Sequence, residues 1–127
     1  MFVRERSAAT GLERLNTFNM REAIFIGDEE LIKNKYRTCE SFAKDIFGKK
    51  LNLKFRIKTA NDPIFGRAGV KKQIYQRAFN LKLEIQVYLP YVEKYVACGS
   101  INNHISTMSD AFQFKSKSGN KYESLCI

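Results

Sequence analysis

Several features are missing from this 127-residue sequence, and each absence narrows what the chain can be. There is no run of about 18 apolar residues, and Met1-Phe-Val-Arg-Glu-Arg6 has no apolar signal core. A cytoplasmic chain with no membrane partner is therefore expected. Only three cysteines occur, Cys39, Cys98 and Cys126, without any C-x-x-C spacing, which argues against a disulfide framework and for a reducing compartment. His104, the only histidine, lies in Asn102-Asn-His-Ile-Ser106 with no carboxylate or nucleophile beside it in sequence. It is read as a substrate contact at most, not as a general base. Neither G-x-x-x-x-G-K-S/T nor G-x-G-x-x-G is present, so the usual glycine-loop routes to a nucleotide are closed.

What is present suits one folded domain spanning residues 1–127. Hydrophobic residues make up 44% and aromatics 13%, with ten phenylalanines, which excludes a disordered class. The net charge of +9 would suit nucleic acid, an anionic membrane or a phosphate-bearing ligand. Lys and Arg are nevertheless spread along the chain with no run of five, as on a generally basic, solvated surface.

Periodicity gives the elements. Residues 2–6 read as a short strand and roughly 15–26 as a second, an antiparallel pair across the Ser7–Gly11 loop. Asp28 is a credible N-cap, with Glu29 and Glu30 in the first turn. From there Leu31, Ile32, Tyr36, Cys39, Phe42, Ala43, Ile46 and Phe47 recur at three and four, up to a stop at Gly48. The stripe should pack on a sheet with Cys39 as core. Period-two alternation then predicts strands over 51–57 and 81–89, separated by Ala60-Asn-Asp-Pro-Ile-Phe-Gly-Arg-Ala-Gly69, where Asn-Asp-Pro blocks helix. Further strands are expected over 95–101, 111–115 and 122–126, with Cys98 in the core. The fold class is α+β, an antiparallel sheet backed by one long helix.

One stretch bears on chemistry. If residues 18–26 are extended, Phe18, Met20, Glu22, Ile24 and Ile26 share a face. A carboxylate on an apolar face needs a partner, so Glu22 is either a satisfied structural ion or part of a site. Arg4, Arg14 and Phe18 are the residue types with which a sheet holds ATP, arginines on phosphates and an aromatic ring on adenine.

Gly11-Leu-Glu-Arg-Leu-Asn-Thr-Phe-Asn-Met-Arg-Glu-Ala-Ile-Phe-Ile-Gly27 resembles motif 2 of class II aminoacyl-tRNA synthetases. The Ala60–Gly69 string followed by Asn80-Leu-Lys-Leu-Glu-Ile85 is similar to a narrower branch, the amino acid:carrier protein ligases, relatives of methanogen-type seryl-tRNA synthetases. The resemblance covers nearly the whole chain. It implies activation of an amino acid with ATP and Mg²⁺ to an adenylate, then transfer to the phosphopantetheine thiol of a carrier protein, or to tRNA in the synthetases. It also implies a zinc ion held by a cysteine, a glutamate and a second cysteine. By match, Glu22 is the glutamate ligand and Cys126 the second cysteine. Arg4 would contact the α-phosphate and Arg14 the outer phosphates, both as catalytic groups, while Phe18 would stack on adenine. Lys82, Glu84, Ser100 and Asn102 fall in stretches that resemble substrate-pocket strands.

The sequence departs from the pattern in three places. No cysteine precedes Cys39 to supply the first zinc ligand, the expected F-R-x-E reads Phe2-Val-Arg-Glu5, and motifs 1 and 3 fall outside residues 1–127. The expectation is a truncated synthetase-like chain, inactive alone. The competing expectations are a non-catalytic basic module that docks an acidic carrier protein or RNA, and a relic whose sheet edges pair in a homodimer.

Overall fold

A five-stranded antiparallel sheet in the order β3-β7-β6-β5-β4 organises the chain, with a separate two-stranded ribbon, β1-β2, at the N-terminal end of the sequence. The computed structural model describes residues 2–4, 11, 15, 17–60 and 81–127. In chain order these form β1 (Phe2–Arg4), β2 (Thr17–Asn19), β3 (Ile24–Gly27), α1 (Glu29–Ala43), β4 (Phe55–Thr59), β5 (Lys82–Leu89), β6 (Lys94–Ile105), α2 (Thr107–Phe112) and β7 (Glu123–Cys126). This is the α+β architecture expected. The Asn61–Gly69 string lies outside the described residues.

The helix begins where the cap rule puts it. Asp28 is extended, and its Oδ1 accepts a hydrogen bond from the Leu31 backbone N–H at 2.8 Å, with Glu29 and Glu30 behind it. At the junction a Cβ on Gly27 would lie 2.3 Å from Leu31 Cδ2, so a larger residue there would have to push the Leu31 side chain aside. Gly48 does not end the helical path. The chain continues as π-helical turns over Lys44–Lys50, and the Leu51 N–H reaches the Ile46 carbonyl at 2.9 Å.

α1 lies on one face of the sheet. Ile32 and Cys39 from the helix meet Ile101 of β6 and Leu125 of β7 in the core, and Phe25, Tyr36, Leu83 and Ile127 pack around them. The pairings Phe25↔Leu125 and Leu83↔Ile101 show that this face is read by one parity of every strand. Leu31 and Phe42, expected in the stripe, are exposed because they lie on its flanks.

Three expectations fail for physical reasons. The predicted strand 15–26 is broken into β2 and β3 in two different sheets, so a single face from Phe18 to Ile26 does not exist. Ile24 and Ile26 are 63% and 51% exposed, while Phe25 turns to the core, because α1 covers the opposite parity. The strand expected over 111–115 does not form: Ala111 and Phe112 end α2, and only Lys115 makes an isolated bridge, to Lys121. The turn is closed by Ser106 Oγ donating to Asp110 Oδ2 at 3.1 Å and by the Asp110 N–H on the Ser106 carbonyl at 2.8 Å. Cys98 is exposed and sits at a β-bulge where β6 slips against β5 near Ile85 and Gln86, its Sγ donating to the Ile85 carbonyl at 3.4 Å.

Candidate functional site

The sheet face turned away from α1 is polar, and strand register assembles it. Lys82 pairs with Asn102, Glu84 with Ser100, and Asn102 in turn with Cys126, which pairs with Ile24. These partners lie 16 to 102 residues apart in sequence, yet alternation places all of them on one surface. The four residues expected to line a substrate pocket are thus two cross-strand pairs on adjacent strands. Asn102 Nδ2 donates to Ser100 Oγ at 2.9 Å, and Arg56 Nε donates to Gln86 Oε1, whose Nε2 donates to Glu84 Oε2, both at 2.8 Å.

Cys126 is the hub at the β7 end. Its Sγ accepts a hydrogen bond from Asn102 Nδ2 at 3.4 Å and lies 3.3 Å from His104 Nε2. Burial, above all, pushes the thiol pKa up; the Asn102 hydrogen bond opposes that rise, and the facing Glu22 carboxylate adds to it. Glu22 itself is exposed, in the coil between β2 and β3. Its position is fixed nearby by Ala23, whose N–H and C=O pair with the carbonyl and N–H of Ile127 at 2.9 and 3.1 Å. Two residues before Cys126, Ser124 Oγ is buried without a hydrogen-bond partner among the described residues.

A bulge aims His104. Asn103 pairs with Leu125 and Ile105 with Ser124, leaving His104 as the extra residue. Ile105 then takes a φ of +51°, a conformation that β-branched residues rarely adopt, and the Asn103 Oδ1 accepts its N–H at 3.0 Å. Strain of this kind persists where surrounding structure imposes it.

The predicted residues are therefore partly gathered. Glu22, Cys126, Lys82, Glu84, Ser100 and Asn102 share one face. Phe18 is half-buried in β2 opposite Val3, in the other sheet. Of Arg4 only the strand position, opposite Thr17, is described, and Arg14 lies outside the described residues. The contact of His104 with Cys126 is not visible in the sequence reading, since the two lie 22 residues apart; the signal that points to it is the parity His104 shares with Asn102 on one long strand.

Zinc chemistry meets a mixed fit. A thiol, an imidazole and a carboxylate on one face make a borderline-soft donor set suited to zinc. As they stand, no three His, Cys, Asp or Glu side chains among the described residues are grouped so as to hold a metal ion. A groove of about 500 Å³ lies elsewhere, between α1 and β4, lined by Tyr36, Glu40, Lys44, Phe55, Arg56, Ile57, Thr59 and Leu83. It contains none of the predicted site residues. There, burial first and Glu40 second push the Tyr36 hydroxyl up to about 12. Among the described residues no helix is long and apolar enough to cross a membrane.

Comparison with known proteins agrees with this architecture. The chain is 31% identical over 122 residues to amino acid–acyl-carrier-protein ligase 2 of Bradyrhizobium diazoefficiens, a match covering 96% of this chain and 36% of that protein. It is 27% identical over 129 residues to the type-2 serine–tRNA ligase of Methanocaldococcus jannaschii, covering 96% of this chain and 24% of the relative. Among solved structures it superposes on a chain of the complex of A. aeolicus tRNASec with Methanopyrus kandleri SerRS. The TM-score is 0.75 at 28% identity, over 96% of this chain and 24% of that one. The chain thus spans about a third or less of the length of these relatives. A family model described as the tRNA synthetase class II core domain (G, H, P, S and T) matches residues 1–127, and the chain belongs to that family.

Proposed function

We propose that this chain is part of the catalytic core of a ligase that activates an amino acid with ATP and Mg²⁺ and passes it to the phosphopantetheine thiol of a carrier protein. The observation that carries the reading is the convergence of Glu22 and Asn102 on Cys126, next to the Lys82–Asn102 and Glu84–Ser100 pairs. An aminoacyl group needs an anchor for its ammonium and polar partners for its side chain. A carboxylate, a metal-ligating thiol and amide and hydroxyl groups on one surface are of those types. The residues proposed to hold zinc are Glu22 and Cys126; the ion would supply Lewis-acid binding of the substrate amine. Phe18 and the arginines Arg4 and Arg14 are proposed for adenine and the phosphates. Turnover by the chain alone is expected to be absent, since stabilising the phosphate charge takes a full set of cations.

Calorimetry with a non-hydrolysable aminoacyl adenylate analogue tests this reading. Binding weakened by Glu22→Ala and Phe18→Ala is expected. No binding by the chain, alone or fused to the flanking segments of its acyl-carrier-protein ligase relative, would refute it.

A second reading draws on a different observation. Lys54 Nζ lies 4.1 Å from the Tyr88 ring centre and the Arg56 guanidinium 4.0 Å from that of Tyr95. The two tyrosines meet edge to face at 5.3 Å. Such a basic-aromatic surface on a chain of net charge +9 is suited to docking an acidic carrier protein or RNA. Salt-sensitive association that survives Phe18→Ala and Glu22→Ala would favour it.

A further inference from the structure

β4 ends the five-stranded sheet, and no strand among the described residues pairs with its outer edge. Register shows which of its backbone groups point outward. The Lys54 carbonyl accepts the Tyr88 N–H at 2.8 Å and the Ala60 N–H donates to the Lys82 carbonyl at 3.0 Å, so the even-numbered residues between them are those that exchange hydrogen bonds with β5. The N–H and C=O of Phe55 and Ile57 therefore face away from the sheet. We propose that this edge is a docking site for an extended acidic peptide segment, which adds as a further strand and alternates acidic with apolar side chains. The inference goes beyond the ligase reading and does not depend on it.

Alternation along β4 sets the chemistry of the occupant. Lys54, Arg56 and Lys58 are exposed and stand about 6.7 Å apart on one face of the strand. Contacts to the sheet hold two of them: Lys54 lies on the Tyr88 ring, and Arg56 on that of Tyr95 while its Nε donates to Gln86. Cations ordered in this way lose little freedom when a carboxylate arrives. Glu84, the one carboxylate of β5, lies opposite Lys58 and accepts from Gln86, so positive charge prevails along the edge. On the other face Phe55 and Ile57 are half-buried and open onto the groove of about 500 Å³ beneath the edge, whose walls include Tyr36 and Leu83. The carboxylate in that groove, Glu40, already accepts from Lys44 Nζ at 2.6 Å. Apolar side chains of an added strand would enter the groove. This is strand addition to an open sheet edge, in which main-chain hydrogen bonds give affinity and alternate side chains give specificity.

The same charges disfavour a second copy of this chain. Lysine on an edge strand guards against pairing between copies, and β4 set antiparallel to β4 would bring Arg56 and Lys58 against their own kind. An acidic strand is the one that this guard admits.

A capped peptide of alternating Asp and Val, long enough to span β4, is titrated into the full chain and followed by amide NMR and hydrogen exchange. Saturable binding is expected, with shifts centred on residues 54–58 and slowed exchange of the Phe55 and Ile57 amides. N-methylation of one alternate set of the peptide amides, those that meet β4, should abolish binding, while N-methylation of the other set should be tolerated. Arg56→Glu combined with Lys58→Glu should weaken binding about tenfold or more, because each reversal sets like charges on neighbouring strands.

Equal binding of a block peptide of the same composition, or indifference to both N-methylated sets, would show charge attraction without a strand and would overturn the proposal. So would an absence of peptide binding, whether the chain is inert, takes up oligouridine instead with shifts at Tyr88 and Tyr95, or self-associates through β4. If the doubly substituted chain does not fold, the N-methylated peptides on the parent decide. Failure of the adenylate analogue to bind bears on the ligase reading alone.

Discussion

Ile24 and Ile101 look alike in a hydropathy profile and have opposite environments. Ile101 is fully buried under α1, whereas Ile24 is 63% exposed on the polar face beside Cys126. Ile101→Ala should therefore cost about 2–5 kcal/mol, through lost transfer energy and the cavity left behind. Ile24→Ala should stay within about 0.5 kcal/mol. Urea unfolding of the two variants checks the assignment, and equal losses would mean that the faces are wrongly placed. The residue scale is also where sequence reading was weakest. Glu22 and Cys126 were singled out through a resemblance, but the contact of His104 with Cys126 was not foreseen, because it depends on the register of β6 against β7. Cys98 was misplaced in the core for the same reason, as a bulge turned it to the surface.

Elements were more legible where a local rule and a tertiary need agree. Asp28, the acidic first turn and the three-four spacing announce α1, and the sheet buries the stripe they define. Asp28→Ala removes the acceptor for the Leu31 N–H and should cost about 0.5–2 kcal/mol, read from the denaturation midpoint. The break between β2 and β3 was not legible, since Met20 to Ala23 carry no proline or glycine and the chain leaves one sheet for another through tertiary pairing alone. Nor was α2, whose Ala111–Lys115 neighbourhood alternates like a strand. That helix supplies a pH test. Lys121 and then Ser106 hydrogen-bond Asp110 and hold its carboxyl below the ordinary value of 3.8. A depressed folded value stabilises above the unfolded pKa and is lost as pH falls through the folded one. Asp110→Asn should therefore lower Tm at neutral pH. The gap from the parent should close as pH drops below about 3.8, and a gap independent of pH would contradict the assignment.

For the molecule as a whole, one five-stranded sheet separates two tasks. α1 closes one face into a core, and the other face carries Lys82, Glu84, Ser100 and Asn102, the groups proposed to meet a substrate. Charge alone did not reveal that division, because the basic residues are spread along the sequence. Parity along β5, β6 and β7 did, once the register was known. Amide NMR of the chain titrated with a non-hydrolysable aminoacyl adenylate analogue tests the division most directly. The account predicts shifts concentrated at Lys82, Glu84, Ser100, Asn102 and Cys126, with Ile32 and Cys39 of α1 unmoved. Shifts confined to the groove between α1 and β4, around Tyr36, Phe55 and Ile57, would contradict it.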